Sequence, residues 1–385
     1  MAIHPKLKRI ITWAVYTLFL LMLAEGGARF FWTVRGASFL SAHRTIHRSF
    51  YPRLAHVERL LADRKTSHLN VLLLGGSVLH SDYGNVEHLL RERLSRATKR
   101  HVRIHNLAEP GHTSLDSLYK YRRLETHPFD LVIVYHGINE MRANNCPATL
   151  FREDYSHLSW YRLINDWERR ANDRRLAAPY TIKFVALKLA DRLGWSGTLP
   201  THRPDADSLV YGCEVKTAGP FQANLKGILT LAEVKQDPVL LMTFADYFPA
   251  NYTEEAFAAR RLDYTSHAFP VELWGKPECT GAVLAAHNEA VVELAGEHDS
   301  VGFVDQQRLV PKDGLYFNDL CHLTHEGCER FVENLMKTAL ELLSQRLNID
   351  LGDAHDLLDG GHALGHLGPS VVAHQLKPLL SPNLQ

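Results

Sequence analysis

The 385-residue sequence lacks several features that would direct it to a common class of function. Its 43 Lys and Arg residues balance 43 Asp and Glu residues, so no charge excess favours a nucleic-acid partner. It has no G-x-x-x-x-G-K-[ST] and no G-x-G-x-x-G after a predicted strand, which argues against nucleotide binding. Its five cysteines show no C-x-x-C pair and no zinc-ligand spacing, and their disulfide pairing stays open. We therefore predict neither a cofactor nor a metal.

One long apolar run is present, at residues 10–24, and Lys6, Lys8 and Arg9 precede it. Positive charge before such a run directs the following chain across a membrane. The run is shorter than the ~20 residues of a comfortable span, which leaves a signal peptide or a short signal anchor. A weak cleavage site at residues 26–28 would give a secreted protein, whereas the aromatic residues 30–32 suit retention. We expect residues 1–35 to be a retained anchor, with the remaining chain periplasmic or extracellular.

Beyond a lead-in at residues 36–69, apolar strands alternate with amphipathic helices, which predicts an α/β fold with a mainly parallel sheet covered on both faces. This main domain extends over residues 70–350. The alternation lapses at about residues 141–217, a segment that we interpret as a helical insertion forming a cap or a partner surface. Residues 351–385 are rich in Gly, His and Pro and are predicted to be a disordered tail. The predicted strands lie at residues 70–74, 102–108, 130–135, 238–244 and 302–305.

The first of these strands ends abruptly in Gly75-Gly76-Ser77. In α/β sheets ligands bind at the carboxyl ends of the strands, so Ser77 lies where chemistry is usually done. A serine that only begins a helix is the simpler interpretation of this tripeptide. The rest of the chain favours a nucleophile, because it supplies the other groups that a nucleophilic serine needs.

A serine hydroxyl attacks well only when a base takes its proton and a third group orients that base. His322 is the candidate base, and Asp319, three residues earlier, is the candidate that orients it. Donors for a developing oxyanion are the backbone N–H of Ser77, the backbone N–H of Gly111 and the side-chain amide of Asn139. A metal site formed by Asp319, His322 and His325 is an alternative, but it would leave Ser77 and Asn139 without a role.

Four segments carry a resemblance to a known family: Gly75-Gly76-Ser77, Glu109-Pro110-Gly111, Gly137-Ile138-Asn139 and Asp319-Leu320-Cys321-His322. Their order and spacing resemble the four blocks of the SGNH (GDSL-type) hydrolase superfamily, in the bacterial membrane-anchored branch whose first block reads Gly-Gly-Ser. The resemblance covers most of residues 70–345. It implies a three-layer α/β/α flavodoxin-like fold, a Ser77 nucleophile, a Ser77, Gly111 and Asn139 oxyanion hole, and an Asp319–His322 pair. Two residues depart from the pattern, since Gly76 and Glu140 stand where Asp is usual.

These observations predict an extracytoplasmic serine esterase that hydrolyses an acyl ester, on a cell-envelope carbohydrate or lipid. An acyltransferase of envelope polysaccharide would share all of these residues. A membrane-anchored assembly or binding protein that keeps the fold without catalysis is a further alternative. The expected contacts are the ester substrate and, through residues 10–24, a membrane. No nucleic-acid partner is expected.

Overall fold

The computed structural model describes residues 4–62, 68–169, 176–201, 204 and 206–348. At its centre is a five-stranded sheet in the order β2-β1-β3-β4-β5, and all four pairings are parallel. All five predicted strands are present, so the predicted α/β fold with a parallel sheet is confirmed. The predicted tail at residues 351–385 lies outside the described residues. The strands are β1 Leu69–Gly75, β2 Val102–Asn106, β3 Leu131–Tyr135, β4 Val239–Met242 and β5 Val301–Val304.

Helices cover both faces of this sheet and make three layers. Helices α5 and α14 pack on one face, while α6, α10 and α12 pack on the other. The helices are α1 Pro5–Val34, α2 Ala42–Thr45, α3 His47–Phe50, α4 Pro52–Ala62, α5 Val86–Thr98, α6 Ser114–Arg123, α7 Glu140–Asn144, α8 Ser159–Glu168, α9 Ala178–Arg192, α10 Ala218–Lys235, α11 Glu254–Ala258, α12 Pro277–Glu297, α13 Gln306–Leu309 and α14 His325–Leu347.

Strand β1 shows why the apolar runs in the sequence are continuous. Val71 and Leu73 face the α5/α14 layer, whereas Leu72 and Leu74 face the α6/α10 layer. Successive side chains of a strand point to opposite faces, so a sheet covered on both sides needs apolar residues at every position. All seven residues of β1 are buried accordingly.

The N-terminal helix is longer than its apolar run. Helix α1 has 30 residues and is long and apolar enough to cross a membrane. The helix continues through Gly26 and Gly27 instead of ending with the run at residue 24. Its last third packs on the rest of the protein, where Ala28 and Trp32 are buried. The exposed apolar part and the packed part are therefore segments of one continuous helix.

The insertion and the lead-in pack against each other on the α6 side of the sheet. The lead-in contains α2, α3 and α4, and the insertion contains α8 and α9. Trp32 of α1 lies against Tyr180 and Phe184 of α9, with ring centroids 5.6 and 4.9 Å away. A disulfide between Cys213 and Cys279 links the end of the insertion to α12. The insertion is thus joined to the main domain by both apolar contacts and a covalent bond.

Candidate active site

The site lies at the carboxyl edge of the sheet, where the strand order reverses direction. Gly75, at the end of β1, pairs with Tyr135, at the end of β3. Ser77 begins a short 3-10 turn directly after β1, and Asn139 follows β3 at the start of α7. In a 2-1-3-4-5 sheet the crevice between the β1 and β3 ends is where ligands bind.

Ser77, His322 and Asp319 form a hydrogen-bonded chain across this edge. The distance from Ser77 Oγ to His322 Nε2 is 2.8 Å, and that from His322 Nδ1 to Asp319 Oδ2 is 2.8 Å. The three residues are 7%, 4% and 0% exposed, respectively. A carboxylate only accepts hydrogen bonds, so Nδ1 carries the ring proton and Nε2 accepts from the serine hydroxyl. The structure brings together the three residues that the sequence singled out.

The loop before α14 fixes the imidazole and the carboxylate relative to each other. Asp319 Oδ1 accepts hydrogen bonds from the backbone N–H groups of Cys321 and His322, at 3.0 and 2.9 Å. Thr324 then caps α14 by accepting from Gly327 N at 3.0 Å. The loop's own N–H groups therefore orient the carboxylate toward the imidazole.

The candidate oxyanion donors come from three consecutive strand ends. Gly111 lies on the loop after β2 with φ of +79°, a conformation that glycine adopts without steric cost. The next residue, His112, accepts a hydrogen bond from Asn139 Nδ2 at 2.9 Å through its backbone oxygen. An amide nitrogen carries two hydrogens, so one remains for a ligand. Asn139 thus ties the Gly111 loop to the end of β3.

Gly76, one of the two departures from the family pattern, has a steric explanation. A Cβ atom at residue 76 would lie 2.6 Å from Asn139 Nδ2, which is closer than real Cβ contacts. The absence of a side chain at Gly76 therefore allows the Asn139 amide to approach the backbone beside Ser77.

Aromatic rings surround His322, and no pattern in the sequence marks them. Tyr83 stacks on the imidazole with a centroid distance of 5.0 Å, and Phe269 and Trp274 lie at 5.1 and 6.2 Å. Tyr83 follows Ser77 by six residues, whereas the other two come from the long connection between β4 and α12. The rings limit the access of solvent to the imidazole, which is buried.

A second buried polar group, which we call the Asp116 cluster, supports the Gly111 loop. Asp116 of α6 accepts from Tyr51 OH and Trp160 Nε1, both at 2.9 Å, from Tyr161 OH at 2.6 Å and from Thr113 N at 2.9 Å. Burial raises the pKa of this carboxyl, but the charges of His112 and Lys120 and the hydrogen bonds hold it below its usual value. The lead-in and the insertion therefore meet at one carboxylate beside the site.

Glu140, the second departure from the family pattern, points into the protein. Its Oε1 accepts from Ser114 N, and its Oε2 is buried without a hydrogen-bond partner among the described residues. Burial raises its pKa to about 7 although the Ser114 hydrogen bond lowers it. Glu140 therefore carries a proton over much of the acidic range.

The alternative of a metal site at this loop fits the described residues poorly. His325 bonds to Asn85 Nδ2 at 2.9 Å, and the possible donors within 4.8 Å of one another are Asp319, Cys321 and His322 instead. Both imidazole nitrogens of His322 already have partners. Burial also raises the pKa of the Cys321 thiol well above its usual range, whereas a metal takes the thiolate. The chemistry of this donor set favours the hydrogen-bonded chain.

No family model matches the sequence, and no curated protein matches it. Several solved structures are similar in overall shape. A GDSL-like lipase from Bacteroides thetaiotaomicron is 15% identical, with a TM-score of 0.40 over 76% of this chain and 97% of that one. An acetyl xylan esterase is 12% identical, with a TM-score of 0.37 over 70% and 98%.

A lipase/acylhydrolase from Enterococcus faecalis is 14% identical, with a TM-score of 0.37 over 72% of this chain and 96% of that one. The sequence motifs of this chain resemble those of the SGNH (GDSL-type) hydrolase superfamily.

Proposed function

We propose that the protein is a membrane-anchored serine esterase that hydrolyses an acyl ester outside the cytoplasm. One observation carries the proposal: the hydrogen-bonded chain from Ser77 Oγ through His322 to Asp319, with 2.8 Å at each step. These three residues lie at the sheet edge where α/β folds bind ligands. A serine, an imidazole and a buried carboxylate in this order are the parts of nucleophilic acyl transfer.

In this reaction the Ser77 oxygen attacks the ester carbonyl carbon while His322 Nε2 takes the hydroxyl proton. The carbonyl becomes a tetrahedral oxyanion. Its collapse breaks the bond to the alcohol oxygen, which receives the proton from His322 and leaves. Water then attacks the acyl-Ser77 ester, again giving a proton to His322, and the acid departs with Ser77 restored. Only neutral His322 accepts the first proton, so activity falls when the ring is protonated.

Asp319 acts through His322. The carboxylate accepts the Nδ1 proton, selects the tautomer with a free Nε2, and stabilises the imidazolium that forms during attack. Its backbone hydrogen bonds from residues 321 and 322 keep it aligned without a substrate.

The oxyanion is stabilised by the backbone N–H groups of Ser77 and Gly111 and by the Asn139 amide. These donors lie on separate strand ends, and the bond from Asn139 to His112 O holds two of them together. Loss of one such donor typically lowers kcat by about 10²–10³-fold.

Three features support an extracytoplasmic location with a retained anchor. Helix α1 is long and apolar enough to span a bilayer, and Lys6, Lys8 and Arg9 lie before its apolar run. Glu25 of α1 accepts hydrogen bonds from Ala177 N and Ala178 N at the start of α9, so cleavage at residues 26–28 would remove a helix cap. The Cys213–Cys279 disulfide is typical of an oxidising compartment.

An acyltransferase remains the second candidate, and the aromatic rings around His322 favour it. In that case a sugar hydroxyl replaces water in the second step, and the rings around His322 limit the water that would compete with it. Incubation with an acyl donor and an oligosaccharide separates the two, because a transferase acylates the sugar and an esterase releases free acid.

The direct test is labelling by a fluorophosphonate probe, which reacts with an activated serine. The full-length protein in detergent should be labelled, and both Ser77→Ala and His322→Ala should abolish labelling. The matched control is Ser81→Ala, since Ser81 is exposed and lies four residues further on. Circular dichroism establishes that the variants fold. Absence of labelling in the wild-type protein would favour a non-catalytic assembly protein instead.

A further inference from the structure

Arg142 has an unusual environment for a partly buried cation. Within the described part of the chain, its guanidinium makes no ion pair and no hydrogen bond, and its Nε is buried. By contrast, Arg123 bonds to both carboxylate oxygens of Glu168, and Lys120 donates to Leu107 O. The Arg142 side chain is also only half-buried, so a ligand has access to it.

This guanidinium remains charged at neutral pH. Burial lowers its pKa to about 10, which leaves it almost fully protonated in that range. A desolvated charge without a partner costs free energy that an incoming anion would recover.

The position of Arg142 relates it to the candidate oxyanion site. It lies three residues after Asn139 on the first turn of α7, and residues three apart share one side of a helix. Tyr83 and Cys321 lie near enough for their negative forms to affect the Arg142 pKa. Tyr83 stacks on the His322 ring, and Cys321 Sγ lies 3.6 Å from His322 Nδ1.

We propose that Arg142 binds an anionic group, a carboxylate or a phosphate, on the alcohol portion of the ester substrate. The planar fork of a guanidinium matches the paired oxygens of either group. The inference deepens the proposed esterase function and rests on it. It narrows the substrate class from acyl esters in general to esters of acidic sugars or of phosphorylated headgroups.

The test compares three acetyl esters with the full-length protein in detergent: acetylated glucose, acetylated glucuronate and acetylated glucose 1-phosphate. We expect kcat/KM for one of the anionic esters to exceed that for acetylated glucose by at least tenfold. Preference for the glucuronate identifies a carboxylate ligand, and preference for the phosphate identifies a phosphate ligand. Inhibition of 4-nitrophenyl acetate hydrolysis by free glucuronate and by inorganic phosphate provides a second measurement of the same site.

In Arg142→Gln the preference should fall at least tenfold, mainly through KM, and competitive inhibition should weaken equally. Arg142→Lys should keep part of the preference, because it keeps the charge but not the fork. The matched control is Arg96→Gln, since Arg96 is exposed on α5 and pairs with Glu92.

The inference is overturned if the wild-type protein shows neither an anionic preference nor inhibition, or if Arg142→Gln keeps both. Ser77-dependent hydrolysis of 4-nitrophenyl acetate separates that result from failure of the esterase proposal, in which no hydrolysis occurs at all.

Discussion

Two buried carboxylates lie at the same edge of the sheet, and they have opposite surroundings. Asp319 accepts from two N–H groups of its own loop and from His322, whose other nitrogen bonds to Ser77. Asp116 instead accepts from side chains of distant segments, including Tyr51 of the lead-in and Trp160 of the insertion. The first network ends in a reactive hydroxyl, whereas the second ends in packed structure. Burial alone therefore does not identify a carboxylate that takes part in a reaction. What identifies it is a reactive group, here the Ser77 hydroxyl, within its hydrogen-bond network.

Replacement of Asp319 should have the largest effect on activity. In Asp319→Asn an amide faces His322 Nδ1, so the ring takes the tautomer whose Nε2 is protonated and cannot accept the Ser77 proton. We expect kcat to fall by about 10⁴-fold with little change in the midpoint of thermal unfolding. Initial rates on 4-nitrophenyl acetate and a thermal melt measure both. A large loss of stability with unchanged kcat would reverse our distinction between the two carboxylates.

The matched change at the other carboxylate should act on stability. In Asp116→Asn the new amide donor faces groups that donate, and burial leaves them unsatisfied, which costs about 2–5 kcal/mol. The Asp116 pKa is held low in the folded protein, so the contribution of the wild-type carboxylate is present at neutral pH and is lost as pH falls through that pKa. Urea unfolding at pH 7 measures the loss, and an undiminished unfolding free energy would contradict it.

Gly76 tests the contact between the backbone beside Ser77 and the Asn139 amide. The Cβ of Gly76→Ala should displace the Asn139 amide, 2.6 Å away, and lower kcat by about 10²-fold. In an Asn139→Ala background the same substitution should cost far less, because the displaced group is already gone. This double-mutant cycle isolates the contact, and additive losses in the cycle would show that Gly76 acts elsewhere.

Glu140 should affect stability and leave kcat nearly unchanged, and its effect depends on pH. Its folded pKa of about 7 lies above its ordinary value of 4.5, so the folded protein retains a proton that the unfolded chain releases. Stability therefore falls as pH rises from about 4.5 to 7, by at most ~3 kcal/mol. Glu140→Gln should remove this fall and be more stable than the wild-type protein at pH 8. Thermal melts at pH 5 and pH 8 compare the two, and parallel melting curves would exclude the effect.

The parts of the molecule that the sequence predicts are those with local signals. Each strand is a continuous apolar run, and the loop from Asp319 to Thr324 contains its own hydrogen-bond partners. Ser77 and Asn139 were identified because each follows such a run. The resulting α/β fold is confirmed by the sheet, and the roles of the site residues remain predictions.

The unpredicted parts depend on contacts between distant segments. The four partners of Asp116 come from three regions of the chain, and no spacing in the sequence marks them. Nothing in the sequence distinguishes Arg142 from a surface arginine. Only the structure shows that its guanidinium has no hydrogen-bond or ion-pair partner among the described residues. The pairing of Cys213 with Cys279 likewise follows from the packing of the insertion on α12.

The continuous helix α1 has a mechanical consequence. Glu25 caps α9, and Trp32 donates to Thr181 Oγ1 at 2.8 Å, so the helix enters the protein without a flexible joint. With residues 10–24 embedded in a bilayer, the crevice would stay at a constant height above the membrane and face a constant direction. Such an enzyme acts on substrates that reach that height above the membrane. A rigid helix, and not a flexible linker, sets the distance.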